Sequence, residues 1–319
     1  MIPSVPLRLK PALLFILPCL FALSQMRHTV LADAYLAEDK VYYGADSFSV
    51  DYEQKIITAV GNAYFKKETR RVDADRIVIH YAVDRKIAYF YGNVIIVDET
   101  DKSRIDGNYA EARFRDDYYF VEGNTVYSDE KRRVTSRRIE SRKDEGYNFI
   151  DEVRYSDGTY AIASSLLHVK DDVALFKGDA HAVHGDSKDS IHCDEISYSL
   201  SSEDVTFQDR VLYIQREGEG DDNSLVIQSD VMRYFRDGDL FVLIGNVYML
   251  NGSYTVRASV VRYRREEKLL EAVGDIVVWD GDKYVYCNNL EYNVDTDSVL
   301  FFKEVKGVFR PKKAAKGNS

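Results

Sequence analysis

Three histidines, His181, His184 and His192, lie close together, and the last is followed by Cys193 and Asp194. Imidazole, thiolate and carboxylate in one stretch are the ligands a zinc-type site uses. Their spacing argues against one, because residues i and i+3 on an extended strand point to opposite faces. A second cluster, Glu217, Glu219, Asp221 and Asp222, sits in the Gly-rich stretch Arg216 to Ser224. Its oxygens lack the spacing of a standard calcium loop, so the stretch reads as an exposed connection. The remaining carboxylates follow the repeat described below, and no pair stands apart as a glycosidase acid and base would. The chain has no Gly-x-Ser-x-Gly elbow and no phosphate loop. The residues therefore point away from catalysis and from any metal or cofactor. A formal charge of −10 also disfavours nucleic acid, which calls for a basic face.

What would position any site is a repeat. The segment Val72 to Val97 holds VDADRIVIHY, a short turn, and IAYFYGNVIIV. Its closing signature returns as Gly61-Asn62-Ala63, Gly92-Asn93-Val94, Gly123-Asn124-Thr125, Asp151-Glu152-Val153 and Gly178-Asp179-Ala180. It continues as Asp209-Arg210-Val211, Gly245-Asn246-Val247, Gly274-Asp275-Ile276 and Lys303-Glu304-Val305. The period of about 30 residues belongs to repeat architectures in which each unit packs on its neighbours. No internal domain boundary is expected between residues 35 and 309.

The opening halves align just as well. Position three is always small: Ala45, Ala74, Gly107, Ser136, Ala163, Cys193, Ser229, Ala258 and Cys287. Positions six and eight are mostly apolar or aromatic, as in Ile77 and Ile79, Ile196 and Tyr198, or Val261 and Tyr263. On an uninterrupted strand, positions one and three cannot share a face with six and eight. A bulge or corner at positions four and five resolves the conflict, with Asp46, Asp75, Asn108, Asp194, Asp230 and Asn288 as turn-prone side chains. A merely solvated face at position four would serve equally well. Short polar links such as Arg115-Asp116-Asp117 join the halves, and no helical period is sustained, so the fold is expected to be all-β.

At the start, Arg8 and Lys10 precede the apolar run Ala12 to Leu23, the size of a signal-peptide core. Residues 1 to 34 are expected to direct export, with small-x-small sites at Ala22-Leu23-Ser24 and Ala32-Asp33-Ala34. An uncleaved anchor stays open, while Pro18 before Cys19 argues against lipidation. Residues 310 to 319 (RPKKAAKGNS) read as a basic frayed tail. Cys193 and Cys287 both occupy the small slot, three units apart. If each unit adds one strand spacing they lie about 14 Å apart, beyond disulfide reach.

The alternation of small-Asp-x-apolar-x-Tyr with apolar-x-Gly-Asn-Val resembles the OstA-like domain of the lipopolysaccharide transport proteins. It is carried by Ala74-Asp75, Tyr91-Gly92-Asn93-Val94, Ser229-Asp230, Tyr234, Ile244-Gly245-Asn246-Val247, Ala258, Tyr263 and Val273-Gly274-Asp275-Ile276. The resemblance implies an elongated, repeat-built open β-jelly roll of about nine repeats whose interior holds acyl chains. It further implies a periplasmic bridge that carries lipopolysaccharide or a related glycolipid from the inner to the outer membrane. Partners would be an inner-membrane export complex and an outer-membrane translocon with homologous domains, with head-to-tail self-association through the terminal strands.

The expected groove-lining set is Phe48, Ile77, Ile79, Phe90, Val94, Ile196, Tyr198, Val231, Leu243, Val247, Val261 and Leu290. Each of these would serve equally as ordinary core. An exported β-solenoid scaffold that binds a protein or glycan is the alternative reading, and it needs no cleft.

Overall fold

The computed structural model describes residues 41–309 except 68, 83–84, 101, 143, 186–188, 216–224, 252–253, 282, 294–295 and 297. The expected export signal, the basic tail and the acidic stretch from Arg216 to Ser224 lie outside the described residues. Every regular element described is a strand, as the absence of helical periodicity requires. The chain divides into two compact units between Phe176 and Lys177.

The first unit holds β1 (Val41–Gly44), β2 (Ser47–Asp51), β3 (Ile56–Lys67), β4 (Arg70–Ala82), β5 (Arg85–Asp98) and β6 (Ser103–Arg113). It continues with β7 (Tyr118–Ser128), β8 (Arg133–Arg142), β9 (Gly146–Ser156) and β10 (Tyr160–Lys170). The division falls inside β11 (Val173–His184). The second unit holds β12 (Ser190–Ser199), β13 (Val205–Gln215), β14 (Leu225–Phe235), β15 (Leu240–Asn251) and β16 (Tyr254–Arg264). It ends with β17 (Leu269–Asp280), β18 (Lys283–Asn293), β19 (Ser298–Phe302) and β20 (Lys306–Phe309). From β3 to β10, and again from β12 to β18, each strand pairs antiparallel with the next, as short polar links dictate.

The strands bend where the repeat predicts. All nine signature dipeptides, from Gly61-Asn62 to Lys303-Glu304, place two successive residues in the left-handed region. The ladder jumps there: between β4 and β5, Arg76 pairs with Tyr91, whereas Asp73 pairs with Ile95. Gly and Asn accept this conformation at least cost, which is why they recur. Asp75, at position four of the repeat's opening half in β4, supplies the second part of the corner. Its carboxylate accepts a hydrogen bond from Asn93 Nδ2 at 3.0 Å, and Asp46 with Asn62 (3.1 Å) and Asp230 with Asn246 (2.9 Å) repeat it. At β12 and β13 the same place is taken by Asp194 and Arg210, with Nε to Oδ2 at 2.9 Å.

The corner resolves the parity conflict. Val72 and Ala74 on one side of it and Ile77 and Ile79 on the other are all buried, so one face of the strand stays inward through the bend. Each strand thus has two arms, and the inner faces of the arms meet. Tyr127, past the corner of β7, contacts Phe149, before the corner of β9, with ring centroids 6.0 Å apart. Tyr155 of β9 meets Phe176 of β11 at 5.5 Å. These strands are not ladder neighbours, so the contacts cross the interior. Fully burying each such large side chain is worth about 2 kcal/mol.

Cys193 and Cys287 are buried free thiols in the small slot. The one-spacing estimate of their separation needs correcting, because each unit contributes two strands. From β12 to β18 is six spacings, about 29 Å in the sheet. Burial pushes the Cys193 thiol up to about 12, so it carries no thiolate at neutral pH.

Candidate functional site: an apolar cleft in the second unit

From β14 to β18 the inner positions of the second unit grade outward from a dry floor, whereas at β12 and β13 the same row, Tyr198 and Val205, is still buried. Beside the corners, Leu243, Val247, Val261, Ala272, Ile276 and Leu290 are buried, with Val261 at 0% and Ile276 at 1% exposure. One step further along the same faces, burial is lost by degrees. On the arm before the corner of β15, Phe241 is half-buried, as are its ladder partners Tyr234 and Tyr263. Leu270 and Tyr292 continue that row. The Tyr234 and Phe241 rings lie 4.7 Å apart, and Phe241 and Tyr263 lie 6.4 Å apart. On the other arm, Met249, Val256, Val278 and Val285 form the matching row, each paired with the next and each half-buried. The result is an apolar floor with half-exposed lips of aromatic residues on one wall and aliphatic residues on the other.

The first unit treats the same positions differently. There the inner face of β5 to β9 stays buried to the strand ends, through Ile96, Asp98, Ser103 and Ile105 on one arm and Tyr119, Ser141 and Tyr147 on the other, while Ile57 and Phe65 of β3 and Tyr81 of β4 are half-buried. Its interior is a packed core with a polar seam.

Ten of the twelve sequence-predicted lining residues are buried inside: Ile77, Ile79, Phe90 and Val94 in the first unit, and Ile196, Tyr198, Leu243, Val247, Val261 and Leu290 in the second. Two are not. Phe48 lies on β2, which pairs only with β3 among the described strands, and is 47% exposed. Val231 sits half-buried on the outer face beside Ile244, and its neighbour Met232 takes the inner place. The corner explains the slip: Ser229 and Met232 both face inward across it, so the inner residue is position six and not five. The lip residues Tyr234, Phe241, Met249, Val256, Leu270, Val278 and Val285 were missing from the predicted set. Extending the period-two alternation two residues past Leu243 and Val247 would have found Phe241 and Met249; the others lie on arms where the predicted set held no inward residue.

The histidine cluster holds no group of metal ligands among the described residues. His181 and His192 instead stack face to face on neighbouring strands, with ring centroids 4.0 Å apart and planes within 9°. Burial, and then the neighbouring His192, pull the His181 pKa below its ordinary value. A folded-state value below the unfolded one means the unfolded chain binds more protons as pH falls through about 6.5. Stability is therefore expected to be complete above that pH and to drop below it. The drop in melting temperature between pH about 8 and about 5 should shrink in His181→Gln.

Comparison with known proteins places these observations. Residues 44–147 match the family model described as LptA/(LptD N-terminal domain) LPS transport protein. A solved structure that aligns is LptH from Pseudomonas aeruginosa, described as the LptA homologous periplasmic component of the conserved lipopolysaccharide transport device. It aligns at 10% identity over 66% of this chain and 97% of its own, with a TM-score of 0.19. No curated protein matches. The family match covers β2 to β8 with the ends of the flanking strands, and the same corner signature recurs in the second unit. Over residues 44–147, about a third of the chain, the protein is therefore similar to the LptA/(LptD N-terminal domain) family of LPS transport proteins.

Proposed function

We propose that the chain is an exported lipid-transport component that holds the acyl chains of lipopolysaccharide, or a related glycolipid, in the cleft of the second unit. The observation that supports this reading is the gradient from dry floor to half-exposed apolar lip along β15 to β18, where β5 to β9 of the first unit stay buried to their ends. Each methylene that leaves water for such a cleft contributes about 0.8 kcal/mol. A sugar headgroup would stay at the wet rim, so no chemical step is needed. Transfer along a route through the periplasm would be driven by partners at either end, an inner-membrane export complex and an outer-membrane translocon with homologous domains. The strand edges support such docking. β1 and β2 pair only with β3, and β19 and β20 only with β18, among the described strands. They expose Tyr42, Phe48, Val299 and Leu300 beside unpaired backbone, where a homologous domain or a second copy could add a strand.

A photoreactive side chain at Met249 or Tyr263 should form lipid adducts in cells, and one at Ile139, sealed in the first unit, should form none. Absence of adducts at both lip positions would remove the cleft from the account.

A further inference from the structure

The outer face of the second unit carries a surface that the cleft does not use. On the arm formed by the later halves of β13, β15 and β17 and the earlier halves of β14, β16 and β18, the residues that point away from the interior form a ladder: Ile214, Val226, Leu250, Thr255, Trp279 and Tyr284, each paired with the next. A second row nearer the corners includes Tyr248, Val277 and the exposed Tyr286. The Tyr248 and Trp279 rings lie 6.1 Å apart, which confirms their shared side. Thr255 is only 4% exposed between Leu250 and Trp279, so the row is closely packed. The charged residues in these two rows are Arg257 and Lys306; neither row includes a carboxylate. The corresponding face of the first unit carries the ion pairs Arg71 with Asp73 and Arg104 with Asp106.

We propose that this outer face seats the protein on an anionic lipid bilayer. A second copy fits less well. Six strands at about 4.8 Å by five residues at about 3.4 Å give roughly 500 Å², short of the roughly 800 Å² per partner of a stable protein interface. A bilayer sets no such minimum. Trp and Tyr rings suit the boundary between headgroups and acyl chains, and Arg257 and Lys306 complement anionic headgroups while their stems lie along apolar surface. An acidic chain that keeps carboxylates out of these rows lowers the repulsion such a surface would impose.

Trp279 is the sole tryptophan of the chain, so its emission reports on this face alone. That matters because the full chain also carries the apolar stretch Ala12 to Leu23, whose vesicle binding would mask the result in sedimentation. Vesicles of equimolar phosphatidylcholine and phosphatidylglycerol should shift Trp279 emission to the blue, and brominated acyl chains in the same vesicles should quench most of it. The double variant Leu250→Glu, Val277→Glu should lose both responses while keeping the wild-type circular dichroism spectrum. Quenching in the wild-type protein is decisive even where that variant fails to fold. No shift and no quenching, equal responses with phosphatidylcholine alone, or a shift that follows protein concentration without vesicles would each overturn the proposal. None of these outcomes depends on lipid occupying the cleft.

Discussion

Asp98→Ala should lower the unfolding free energy by about 3 to 5 kcal/mol, the cost of leaving one member of a buried ion pair without its partner. Asp98 is 2% exposed at the strand-end seam of the first unit. Its Oδ2 accepts from Arg70 Nε at 2.5 Å, and its Oδ1 accepts from Thr69 Oγ1 at 3.2 Å and from the Thr100 backbone N–H at 2.9 Å. Burial by itself pushes the carboxyl pKa up, but the hydrogen bonds from Arg70 and Thr100 outweigh it and hold Asp98 below the usual carboxylate range. A depressed folded-state value means that the stabilisation is present above the unfolded pKa, near 3.9, and is lost as pH falls through and below it. Urea unfolding near neutral pH measures the cost. Arg70→Met combined with Asp98→Ala should recover part of it, because the stranded guanidinium is gone. A loss below about 1 kcal/mol in the single variant would mean that the seam contributes no more than a surface pair does.

The second large effect is expected at a corner. Gly92 has φ +70°, and a Cβ added there would lie 2.3 Å from Asp75 Oδ2 and 3.1 Å from Asp75 Cβ. Gly158, in a turn with φ +88°, has nothing within 4 Å of the same added atom. Gly158→Ala therefore measures the conformational cost alone, about 1 kcal/mol. Gly92→Ala adds the collision and should cost about 3 kcal/mol. Asp75→Ala in the Gly92→Ala background should return part of the difference, at the expense of the hydrogen bond from Asn93. Equal losses in the two glycine variants would show that the Asp75 carboxylate swings away freely and does not brace the bend.

Both predictions concern features that differ in how far the sequence announces them. The corner is legible because its demands are local. Two successive left-handed residues call for Gly, Asn or Asp, and a small residue must sit at position three where the arms converge. Asp209-Arg210 and Lys303-Glu304 adopt the same conformation without either Gly or Asn, and there only the period of the repeat points to the bend. The Asp98 seam is not legible. Arg70 and Asp98 are 28 residues apart in two strands rich in charge, and which ion pair becomes buried depends on what packs over it.

By itself the sequence determined an all-β chain, antiparallel pairing through short polar links, and the nine positions at which a bend, if present, would fall; the bend itself, and with it the inward row through Val72, Ala74, Ile77 and Ile79, came from the structure. Steric limits on the backbone and the two-residue period of a strand suffice for these, since both act over a few residues. Only the tertiary structure decided that β5 to β9 pack shut while the lips of β15 to β18 remain half-exposed, and that Met232 and not Val231 faces inward. It alone revealed that Trp279 lies on an apolar outer ladder. Those outcomes depend on which side chains meet across non-adjacent strands, as Tyr127 meets Phe149, and composition is nearly the same on both sides of the choice.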